Sequence, residues 1–159
     1  MPLPLRRRPV DIGFIAFFAV NFVFVTYIID LEALVRPATV WPPAPAVELI
    51  HWYGTRFDPL LMANPPFWKA TMWIDVLFFG PFYLFAIYAF AKGRNWIRVP
   101  ALVWAGTMLA NVTIILFEER WGVHATPHFG PVVLFNLPWL LLPLAVIWRM
   151  RKEPFPHDV

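Results

Sequence analysis

PFWKATMWIDVLFFGPFYLFAIYAFA, residues 66–91, decides the fold. As an α-helix its 26 residues rise about 39 Å, more than the ~30 Å hydrocarbon core of a bilayer. Only Lys69 and Asp75 carry charge in it. Lys69 stands near one end, whereas Asp75 falls near the middle, where an ionised side chain costs about 3 kcal/mol or more unless it is protonated, paired or faces a cavity. A spanning helix with one inward-facing acid is therefore expected.

Outward from this stretch, three further apolar runs reach spanning length: 12–30, 97–117 and 129–150. The first is preceded by Arg6, Arg7 and Arg8. Tyr27, Ile28 and Ile29 lack the small residues of a signal-peptide cleavage site, so the run is read as a retained span. Composition agrees, since 60% of the 159 residues are hydrophobic and 14% charged. The fold class is an all-α integral membrane four-helix bundle, with kinked helices and a short interfacial helix in its first outer loop. Residues 1–9 form a basic N-terminus, 10–150 the four-span domain and 151–159 a tail.

Four spans place both termini on one face. With the Lys92/Arg94/Arg98 hairpin and Arg149, Arg151 and Lys152, that face holds nine of the 13 basic residues, so the positive-inside rule makes it cytoplasmic. Asp30, Glu32, Glu48, Asp58, Glu118 and Glu119 gather at the other end. The net charge of +3 is thus a topology signal, and nucleic-acid binding is not supported. Endoplasmic reticulum and bacterial cytoplasmic membrane both fit.

Between the first two spans, Pro37–Pro45 is too proline-rich for a helix. Ala46–Tyr53 sets Val47, Ile50 and Tyr53/Gly54 against Glu48 and His51, the pattern of a short interfacial helix with Trp41, Trp52 and Tyr53 at headgroup level. It reads as a lid over a pocket or as a surface anchor. Pro81, Pro131, Pro138 and Pro143 predict kinks and unfilled space between helices.

Thr71, Asp75, Phe78 or Phe79, and Phe82 share one helical stripe, an aromatic wall with one acid in it that suits a flat apolar ligand. The alternative is a protonated Asp75 bonding a neighbouring helix. Asp30, one turn beyond Thr26 and Tyr27, ends the predicted first span and either meets water or shares a cavity with Asp75. Two carboxylates in one water-poor site cannot both ionise easily, and such a pair attracts a buried cation: a ligand ammonium, or a carbocation-like transition state. Asp58, before Pro59, reads as a structural acid capping backbone amides. Asn136 and Trp139 share a face of the fourth span and can either orient a polar head group or join helices.

His51, His124, His128 and His157 lack the spacing of a helical zinc site, and there is no cysteine, so no metal is expected. No Gly-rich phosphate loop or nucleophile elbow occurs, and no cofactor is implied.

Asp30-Leu31, Trp52-Tyr53, Phe57-Asp58-Pro59-Leu60-Leu61, Pro65-Pro66, Tyr88-Ala89-Phe90-x-Lys92-Gly93, Trp96-Ile97-Arg98-x-Pro100-Ala101 and Leu116-Phe117-Glu118 occur in the order seen in the EXPERA-domain family. The chain resembles that family over roughly residues 10–150, most of all its sigma-two receptor branch. The resemblance implies four helices around a sterol-sized pocket, a homodimer, and sterol or other lipid and hydrophobic cationic amines as ligands. It assigns the amine salt bridge to Asp30, with Asp75 in support where that branch has a glutamate. The emopamil-binding-protein branch, a sterol isomerase, has a histidine where Thr71 stands. Its third-span glutamate is replaced near Met108-Leu109, with Thr107 the nearest polar group, so enzyme activity loses support. Asn136 and Trp139 do match that branch's Asn-x-x-Trp. The leading expectation is a ligand-binding membrane protein; an isomerase and a trafficking scaffold are the alternatives.

Overall fold

A computed structural model describes residues 3–37 and 40–155; His157 and the rest of the chain beyond Phe155 lie outside them. Four helices are long and apolar enough to cross a membrane: α1 (Pro9–Val35), α4 (Pro66–Lys92), α5 (Asn95–Trp121) and α6 (Phe129–Met150). Between the first two lie α2 (Ala44–Phe57) and the short α3 (Pro59–Ala63). α4 stops at Gly93, whose φ of 63° is the left-handed conformation that closes a helix without a Cβ clash. α1 packs on α4 and α5 on α6 at the end that carries the termini. Lipid-facing positions such as Val23, Leu77, Phe85, Phe117 and Leu134 are exposed.

Two spans are not regular α-helices. Asn21–Asp30 in α1 and Asp75–Phe79 in α4 are wound as wide π-type turns. In α4 the cause is local, because Pro81 has no N–H to offer the carbonyl of Leu77 and its ring crowds that carbonyl. α6 breaks at Leu137, just before Pro138.

The inner half of the bundle, toward the termini, is filled by rings. Trp104 is fully buried, stacked on Phe82 at 5.4 Å between centroids and met edge-on by Phe18 at 5.5 Å. Between spans in lipid, close packing replaces the hydrophobic effect as the source of cohesion, and edge and offset ring contacts supply it. Below this core, buried Asp11 accepts from Arg8 at 2.8 Å and from Arg149 at 3.0 and 3.2 Å. Both guanidiniums also cover the ring of Phe155, at 5.1 and 5.2 Å. The Asn95 side chain donates to the Phe155 carbonyl and accepts from the Phe155 N–H, so the segment after α6 is folded against the bundle.

At the other end the acids are not a solvated rim. α1 continues past Asp30 to Val35 because Glu32, buried, is matched by Arg36 at 2.6 and 2.8 Å and by His51 Nε2 at 2.8 Å. Asp30 therefore lies inside the span and not at its end. His51 belongs to α2, so the same carboxylate ties α2 to α1.

Candidate functional site

α2 lies over a chamber of about 660 Å³ lined by all four spans. That volume is in the range of small-molecule sites, about 300–1,000 Å³. Its walls are mostly apolar: Phe24 and Ile28 from α1, Leu49 and Trp52 from α2, Met72 from α4, Val112 from α5 and Phe135 from α6.

Asp30 and Asp75 meet in this chamber. Both are buried, at 6% and 8% exposed, and their carboxyl groups lie within hydrogen-bonding reach of each other. Thr26 Oγ1 donates to Asp75 Oδ1 at 2.6 Å, whereas Asp30 Oδ2 has no partner among the described residues. Asp30 closes one π-type segment and Asp75 opens the other. Wide turns of this kind are rare in helices and concentrate at functional sites. No cation stands beside the pair among the described residues, and two carboxylates this close in a water-poor site cannot both ionise easily.

The π-type turn in α4 also changes which rings face the chamber. Beyond Asp75 the helix is rotated relative to the stripe read at 3.6 residues per turn. Phe78 is therefore exposed, while Phe79 and Phe82 are packed into the inner core. None of the three lines the chamber, and its aromatic surface comes from Phe24, Trp52, Tyr53, Trp68, Phe135 and Trp139 instead. Tyr27 is turned onto α4, where its phenol donates to the carbonyl of Val76 at 3.2 Å. Gly80 permits that approach, since a Cβ there would stand 2.5 Å from the Tyr27 oxygen.

Thr71 and Asn136 line the chamber, but their donors are used within their own helices, on the carbonyls of Trp68 and Val132. Trp139 lines it too and donates Nε1 to Asn21 Oδ1 at 2.7 Å, which closes the chamber floor between α6 and α1. Thr107 does not line it and bonds the carbonyl of Val103. The α5 amide in the wall is Asn111, one turn further on, which the sequence reading passed over. Spacing alone puts Thr107 and Asn111 on the same face.

A second acid group stands at the outer edge. Asp58 accepts from the Leu61 N–H at 2.8 Å, as a cap of α3, and also lines the chamber. Beside it Glu119 is fully buried, its carboxyl within hydrogen-bonding reach of Asp58 and with no other partner among the described residues. Burial first, then Asp58 and Glu119, raises the pKa of the Tyr53 phenol, so it stays protonated. Glu118, one residue earlier, is instead turned outward onto His124 at 2.7 Å.

Residues 45–150, most of the bundle with the lid and three of the four spans, match the family described as EXPERA (EXPanded EBP superfamily). The chain belongs to the EXPERA family. Among its relatives are proteins named Sigma intracellular receptor 2. The one from Xenopus tropicalis is 37% identical over 152 residues, spanning 87% of this chain and 86% of the relative. Those from Macaca fascicularis and Homo sapiens are each 28% identical over 169 residues, spanning 98% and 94%. This EXPERA chain is accordingly a sigma-2-receptor-like, multi-pass membrane protein.

Proposed function

We propose that the chamber binds a sterol- or lipid-sized amphiphile and that the Asp30/Asp75 pair holds its polar end, a hydrophobic amine or a hydroxyl. The observation that carries this reading is the convergence of two buried carboxyls, from two spans, on a single large and otherwise apolar chamber. A cationic amine supplies the charge the pair lacks; a hydroxyl supplies a donor to the unpaired Asp30 oxygen. The relatives' printed name, a receptor, supports binding without chemistry, and so does Thr71, whose hydroxyl is spent on the carbonyl of Trp68. A ligand this apolar partitions into the bilayer first and reaches the chamber from the lipid side. The termini face the cytoplasm, on the strength of the nine basic residues gathered at their end.

The test is equilibrium binding of a labelled hydrophobic tertiary amine to purified protein. Asp30→Asn removes the fixed charge and nearly preserves shape. It should reduce affinity at least about tenfold while the melting temperature stays close to that of the parent protein. Unchanged binding by a folded Asp30→Asn protein would sink the reading.

A further inference from the structure

Five asparagines occur in the chain, and four of them have their side chains engaged. Asn21 bonds Phe17 and Trp139, Asn64 bonds Ala33, Asn95 bonds Phe155 and Asn136 bonds Val132. Asn111 is the exception: it is 8% exposed, and its carboxamide has no hydrogen bond among the described residues. It sits ten residues before the end of α5 at Trp121, hence about 15 Å inside the span. An amide at that depth normally bonds another helix, because lipid offers it nothing.

Asn111 faces the chamber. The other α5 residues in the wall are Met108, Val112 and Ile115, so the amide is an isolated polar point on an apolar surface. It comes from a different helix than Asp30 and Asp75, and it is neutral where they are acidic. A carboxamide carries two donors and an acceptor oxygen, so it can bond a hydroxyl as either partner or donate to a carbonyl.

We propose that Asn111 reads a second polar group of the ligand, a hydroxyl or carbonyl oxygen set apart from the group held by Asp30 and Asp75. This rests on the chamber being an amphiphile site, and it narrows the ligand class to elongated apolar molecules with two separated polar groups. Such a residue selects by exclusion as well as attraction. A ligand without the second oxygen leaves the amide desolvated and unpaired, which is how hydrogen-bonding sites reject analogues that lack the matching group.

The probes are a rigid, hydrophobic tertiary amine with no other polar group and a series of the same amine bearing one hydroxyl at increasing distance from nitrogen. Purified parent protein should bind at least one hydroxylated member about tenfold more tightly than the plain amine. Asn111→Leu, close in volume, should abolish that preference while the plain amine binds as well as before or better. Asn111→Ala gives the same comparison should the leucine variant not fold. Asp30→Asn should weaken every probe alike, which separates the two residues' roles. If no hydroxyl position improves binding, or if the preference survives both Asn111 substitutions, the inference is overturned and the acid-pair reading stands. If the plain amine fails to bind the parent protein, the acid-pair reading falls and takes this one with it.

Discussion

The half of the bundle around Trp104 and the half around Asp75 are built from the same four spans, but rings fill one and the other is hollow. In the filled half the rings close on one another, Phe18, Phe82 and Tyr83 on Trp104, and Asp11 is matched by two arginines. The hollow half contains π-type turns, an α6 interrupted at Leu137, and carboxyl oxygens with no donor among the described residues, on Asp30 and Glu119. Stability and the proposed binding are therefore lodged in different layers, and substitutions should separate them.

The largest effect is expected at the base of the filled half. Asp11→Ala leaves the guanidiniums of Arg8 and Arg149 facing each other without their shared carboxylate, a loss of about 3–5 kcal/mol by denaturant or thermal unfolding. The surviving folded fraction should bind ligand with normal affinity; a change in affinity instead would mean that the two layers are coupled. Next, Phe155→Ala empties the seat between the two arginines and removes an edge contact to Phe90, costing about 3 kcal/mol. If the melting temperature does not move, the segment after α6 is not part of the filled layer.

Substitutions in the hollow half should show the opposite pattern. Glu119→Gln replaces a buried acid that meets Asp58 and no cation by a neutral amide of the same shape, and stability should hold within about 1 kcal/mol or rise. A collapse of the fold would show that the carboxylate is needed where it sits. The smallest expected change is at the lid. His51→Ala removes one of three contacts to Glu32 and should cost about 1 kcal/mol or less. Faster release of a bound amine, followed by displacement kinetics, is the sharper readout, because α2 lies over the chamber.

The four spans were legible because length and hydropathy suffice to mark a membrane helix. So was the Asp58 cap, since Asp-Pro before an apolar run is a local signal. The rings beside Asp75 were not, because a 3.6-residue period cannot be carried across a π-type turn. Thr107 and Asn111 lie one turn apart on one face, and only the depth of the chamber chooses between them. Glu118 and Glu119 are neighbours about 100° apart on α5, so which of them is buried depends on where α3 packs. The extent of α1 beyond Asp30 was hidden for a different reason: Glu32 reads as a surface acid until Arg36, one turn on at the end of α1, and His51, from α2, are placed against it.

A turn closed by i→i+5 bonding holds one residue more than the α-turn it replaces. Removing a single residue from Asp75–Phe79 would let α4 wind tightly again and swing everything on one side of the deletion by about 100° relative to the other. Either the Asp75 carboxylate or the rings packed around Trp104 would then point into lipid. Length in this short interval is consequently fixed more strictly than residue identity, and a chain with one residue fewer there would need a second compensating change to keep both layers.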